Sequence, residues 1–235
     1  MRASAFQRYL DGVVRESGDS PGATRLSSLN PSLLQDLMRF ENADRQTELL
    51  EVLAASVRHS RPLAIHLQWG ARVAPLTIFP AERLAHCPLP IPELLAERLA
   101  ELQVMFVEPA TLRPPGDRDS ELVGDAALYF PLGLLAWELA MRGSREALLP
   151  EISGVAAYRV SPGLSMQDLA LNGTLRVAVQ RLQRETTNLR DMSNWPGFDR
   201  ARATRLLNAL YLQAGLIVSR THPAAINESW FGMSR

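Results

Sequence analysis

The sequence predicts an α+β protein in three parts. An N-terminal α/β sandwich-like domain with an antiparallel sheet occupies residues 1–112. A linker and helical connector follow over 113–157, then a compact C-terminal domain over 158–235. Three observations predict this. Before residue 112, segments with helical apolar spacing are interleaved with segments that alternate, in the order helix, hairpin, strand, helix, strand. "RPPGDRDSE", Arg113 to Glu121, combines proline, glycine and charge with no periodicity, as a linker does. After Tyr158 the pattern is helical apart from one short apolar run.

Taken in order, residues 4–17 form a first helix, ended by the loop-like "ESGDSPGATRLSS". Pro31 opens a second at a first helical position, with Leu33, Leu34, Leu37 and Met38 at helical spacing. In "ADRQTELLEVLAASVRHS", Leu49, Leu50, Leu53 and Val57 share a face, which makes this the main helix of the first domain. "PLAIHLQW" and "RVAPLTIF" flank Gly70-Ala71 and predict a β-hairpin. "AERLAHC" supplies a third strand. "IPELLAERLAEL" reads as one amphipathic helix with Leu94, Leu95, Leu99 and Leu102 inward, and "QVMFVEP" as a strand closed by Pro109. Beyond the linker, "YFPLGLLAWELAMRG" predicts an apolar helix ending at Gly143, and "REALLPEI" a short one.

Composition narrows the chemistry. All 25 basic side chains are arginine, a usage that codon bias in a GC-rich genome would produce. Without lysine there is no Schiff-base nucleophile, no pyridoxal phosphate anchor, no P-loop lysine and no kinase-type lysine. The net charge of zero divides unevenly: 15 arginines against 19 carboxylates in residues 1–150, and 10 against 6 in 151–235. A basic second half fits an anionic partner or attraction between the halves. Runs such as "LGLLAW" are too short to span a bilayer, and the N-terminus lacks the apolar core of a signal peptide. With a single cysteine, Cys87, there is no internal disulfide, and a cytoplasmic location is expected without a membrane partner.

The most organised stretch is "NWPGFDRARATRLLNALYLQAGLIVSR", Asn194 to Arg220. Leu175, Val177, Val179 and Leu182 lie in a helix before it, and Leu189 to Asn194 in a short second one. Trp195-Pro196-Gly197 turns the chain and Asp199 caps a third helix. Ala203, Leu206, Leu207, Leu210 and Ala214 form the buried stripe of that helix. Gly215 then ends it in the left-handed position, and "LIVSR" leaves as a strand. Residues 158–220 resemble the winged-helix-like module at the ends of some bacterial response-regulator and signalling proteins. The resemblance implies a winged-helix-like C-terminal domain, often a regulatory or protein-contacting element.

Two functions follow. The first is a non-enzymatic regulatory or signalling adaptor that binds an unidentified protein partner. The alternative is a transcription regulator on duplex DNA, as a homodimer with two third helices one DNA turn apart. Arg200, Arg202, Arg205, Asn208 and Gln213 fall outside the apolar stripe of the third helix, where either partner would be met. Arg181, Arg184, Arg190 and Arg220 line its sides. Trp195 and Phe198 are read as turn-packing aromatics. Trp230 and Phe231, in the tail "INESWFGMSR", need an apolar surface to leave water, on this chain or on a partner. A third class, a hydrolase using Cys87 with His86 beside it, meets the difficulty that adjacent strand residues point to opposite faces. Neither the histidines nor the acidic cluster Asp117, Asp119, Glu121 and Asp125 has metal-site spacing, so no metal or cofactor is expected.

Overall fold

A computed structural model describes residues 2, 5, 31–33, 35, 49–164, 171 and 173–227. The expected helix over 4–17, the loop after it, and Trp230 and Phe231 lie outside the described residues, singly placed positions apart. Pro31, Ser32, Leu33 and Gln35 are helical, as Pro31 predicts. The protein is α+β and divides into two compact units, residues 1–135 and 136–235.

In the first unit, α1 (Leu49–His59) buries Leu49, Leu50, Val52, Leu53, Ala54 and Ala55, so its apolar surface is wider than one stripe. Glu51 in its first turn and Arg58 and His59 in its last complement the helix dipole. The buried Ser56 hydroxyl donates to the Arg61 carbonyl at 2.7 Å and fixes the exit toward the sheet. β1 (Leu63–Trp69) and β2 (Arg72–Phe79) form the expected hairpin, with Trp69 opposite Arg72 and Gly70 supplying the positive φ of 52° at the turn. β3 (Leu84–His86), β4 (Gln103–Pro109) and β5 (Tyr129–Pro131) complete an antiparallel sheet in the order β4-β1-β2-β3-β5.

Two expected helices differ from their sequence reading. "IPELLAERLAEL" is not one helix: α2 covers only Ile91–Ala96, Glu97 is extended, and a 3-10 turn follows at Leu99–Glu101. Leu94 and Leu99 are five residues apart, which on one α-helix would turn them to different faces. Breaking the helix buries both, at 0% and 4% exposure. "YFP" is strand β5 and not the start of the next helix. The residue before a proline avoids the helical region, and Phe130 pairs with Ala85. The helix α3 then runs Leu132–Arg142. The loop before β5 is held by Tyr129, whose hydroxyl donates to the Arg113 carbonyl at 2.5 Å and accepts from the Gly124 N–H at 2.9 Å.

The second unit is built on β6 (Val155–Val160), which pairs with β7 (Leu216–Ser219) on one edge and with β8 (Ile226–Asn227) on the other. Tyr158 at its centre is fully buried, and its backbone exchanges hydrogen bonds with Thr187 at 2.6 and 3.0 Å. Among the described residues three helices intervene: α4 (Gly173–Arg184), α5 (Leu189–Ser193) and α6 (Arg200–Leu212). The Asn188 side chain caps α5 by accepting from the Asp191 N–H, and Asp199 caps α6 by accepting from the Arg202 N–H at 2.7 Å.

The short helix expected at "REALLPEI" is absent; this segment is turns and irregular chain. Its backbone groups find side-chain partners instead. Asn208 accepts from the Leu149 N–H at 2.9 Å and donates to the Ala147 carbonyl at 3.0 Å, and Arg145 donates to the Leu148 carbonyl at 2.7 Å. The end of α6 also departs from expectation. Ala214, not Gly215, takes the left-handed conformation, with φ of 54°, and it is exposed rather than part of the buried stripe. Gly215 leaves room for Leu164: a Cβ there would lie 2.7 Å from the end of that side chain, which would have to shift. Among the described residues no helix is long and apolar enough to cross a membrane.

Candidate functional site

The residues expected to form one outward face on α6 do not do so. Eight of its residues are buried: Ala203, Thr204, Leu206, Leu207, Asn208, Ala209, Leu210 and Leu212. Asn208, expected to project outward, is fully buried and engaged with the 147–149 backbone. Arg205 is half-buried, and its Nε is buried with no hydrogen-bond partner. Only Arg200, in the first turn, is exposed. Arg190 is exposed on α5. Arg220 is exposed too, but its guanidinium is turned to backbone, donating to the carbonyls of Ser153, Val155 (2.9 Å) and Glu151 (2.9 Å). It clamps the entry to β6.

Arg202 has a structural task as well. Its Nη1 donates to the Gly197 carbonyl and its Nη2 to Thr174 Oγ1, both at 2.8 Å. Its guanidinium carbon lies 5.2 Å from the centre of the Phe198 ring. One side chain therefore joins the first turns of α4 and α6 to the Trp195–Phe198 turn. The approach is close: Gly197 has φ of 76°, and a Cβ there would sit 3.0 Å from Thr174 Cγ2. The positive φ favours glycine here, and a side chain would also press on Thr174.

These contacts shape a hollow. Thr174, Val177, Ala178 and Arg181 stand at i, i+3, i+4 and i+7, on one face of α4, and Trp195, Pro196 and Phe198 rise opposite. Together they enclose about 440 Å³. The wall is mostly apolar, and Val177 in it is 64% exposed, more than any other large hydrophobic side chain among the described residues. Trp195 is 7% exposed and packs its ring edge-on to Phe198, with centroids 6.3 Å apart. The Arg181 guanidinium covers its face at 4.4 Å, while Arg181 Nε donates to the Glu185 carboxylate. Trp195 and Phe198 thus pack the turn, and they also form one wall of an open apolar cleft. The sequence held a signal for the other wall. Leu175, Val179 and Leu182 share the inner face of α4, and Val177 falls off that face by the helical angle.

The first unit offers less. Cys87 is 2% exposed, and burial pushes its thiol above the usual range, against a smaller opposing effect of its hydrogen bond with the Leu89 backbone. A buried thiol held protonated is a poor nucleophile. Burial lowers the neighbouring His86, with the Asp125 carboxylate opposing, and its ring packs 4.7 Å from that of Tyr129. His66 Nε2 lies 3.0 Å from Glu108 Oε1 across β1 and β4. Among the described residues, no group of three His, Cys, Asp or Glu side chains is placed to hold a metal ion. No family model, no curated protein and no solved structure matches this chain.

Proposed function

We propose that this chain is a non-enzymatic regulatory adaptor that works through protein–protein contacts made by its second unit. The observation that carries this reading is the apolar hollow beside the exposed Val177. A large apolar residue left in water beside a cleft of this size fits a recognition surface. The order of strand, helix, short helix, capped helix and strand supports a winged-helix-like module, and in this reading α6 supplies its core. A DNA reader needs an open recognition helix, and burial of most of α6 weighs against that alternative. The protonated, buried thiol of Cys87 weighs against the hydrolase. A lone cysteine agrees with a cytoplasmic setting.

The test is site-directed photocrosslinking. The full chain carries p-benzoylphenylalanine at position 177 in cells that produce it. A discrete protein adduct at 177, absent when the probe sits at Gln180 instead, is the expected outcome. No adduct at 177, or equal adducts at both positions, would sink the adaptor reading.

A further inference from the structure

Resting on that adaptor reading, we propose that the hollow takes one bulky apolar side chain from an acidic segment of a partner protein, whose carboxylates face the arginines of α4. The cleft has two properties that together select this occupant. Its wall offers shape and few free hydrogen-bonding groups. In that wall Thr174 Oγ1 already accepts from Arg202, and Arg181 Nε is engaged with Glu185. What enters must therefore be apolar at its tip, a leucine or an aromatic ring. Such a side chain covers Val177 and the edge of the Trp195–Phe198 pair.

The surroundings, in contrast, are basic. Between residues 173 and 205 there are seven arginines against three carboxylates. Each of the three carboxylates has a local partner: Glu185 holds Arg181, Asp191 accepts from Asn188, and Asp199 caps α6. The helix lining the cleft carries Arg176, Arg181 and Arg184 and no acidic residue. Arg184 stands three residues beyond Arg181, on the continuation of the stripe from Val177, and is exposed. Apolar centre and basic rim complement an acidic segment with one apolar anchor. A nucleic acid would answer the rim but not the centre. Bases bind such sites by stacking on open aromatic faces, and here a guanidinium already covers the Trp195 face.

The experiment uses the full-length protein and three fluorescein-labelled peptides of equal length, read by anisotropy. One is glutamate-rich with a single central leucine, the second has that leucine replaced by alanine, and the third has its glutamates replaced by lysine. The acidic leucine peptide is expected to bind, and loss of its leucine or the change Val177→Asp to weaken it about tenfold, roughly 1.4 kcal/mol. Val177 is mostly exposed, so circular dichroism of Val177→Asp should match the parent. Arg184→Glu, at a second exposed position, should weaken the acidic peptide about threefold and strengthen the lysine one.

Equal binding of the alanine peptide, indifference to Val177→Asp, or failure of all three peptides overturns the proposal. So does displacement of the peptide by duplex DNA at lower concentration, which would assign the surface to nucleic acid. A dimer in sedimentation that Val177→Asp dissolves would give the hollow to a second copy of this chain. The two readings fail separately. A protein adduct at 177 without peptide binding leaves the adaptor standing and removes the acidic partner, whereas neither signal removes both.

Discussion

At the scale of single residues, polar side chains that look like surface groups hold backbone in place. Asn208 satisfies an N–H and a carbonyl of the 147–149 segment from a fully buried position. Asn208→Ala leaves both unpaired, and a loss of about 2–4 kcal/mol is expected in denaturant unfolding. Arg200→Ala, at an exposed position, should stay within about 0.5 kcal/mol. His86 gives a signed pH dependence. Burial depresses its folded pKa, so the folded protein resists a proton that the unfolded chain accepts. Its contribution is complete above the ordinary histidine value of about 6.5 and is lost as pH falls through the lower folded value. The denaturation midpoint should therefore fall less between about pH 7 and pH 5 in His86→Gln than in the parent. An identical slope in both proteins would remove the argument.

At the scale of elements, periodicity served where one face decides the structure and failed where two demands compete. The hairpin around Gly70, the strand closed by Pro109 and the cap at Asp199 were all legible, because turn and cap chemistry is local. The break between Leu94 and Leu99 was not, because burying both is decided by what packs above them. "REALLPEI" has helical composition, but its backbone partners come from Arg145 nearby and from Asn208 some 60 residues away, which no local rule reports. The end of α6 shows the same limit: glycine is placed there for clearance of Leu164, and the left-handed turn falls to Ala214. Ala214→Gly is thus expected to raise stability by up to about 1 kcal/mol, and Gly215→Ala to lower it by about 1–3 kcal/mol. Thermal melts showing the reverse order would mean that Gly215 carries the turn.

At the scale of the whole molecule, zero net charge and an uneven distribution of it decide what the protein attracts at long range. The candidate site was half legible. The arginines of the C-terminal half were visible, but the reading put function on α6 because that helix is the best organised. Good organisation there reflects a helix that supplies the core. With that face withheld, little binding to random duplex DNA is expected at about 50 mM salt, and no steep loss toward about 200 mM. Strong binding that collapses over that range, and that Arg200→Glu abolishes, would return the helix to the DNA reading. The burial of α6 also bears on how this protein can change over generations. Nearly every position of that helix answers to several neighbours, so substitutions there are filtered by folding. Val177 and Arg184 on α4 are exposed, and on the adaptor reading they answer mainly to the partner. If the proposed docking holds, a lineage could exchange one partner for another by altering a few α4 side chains while the scaffold stays fixed.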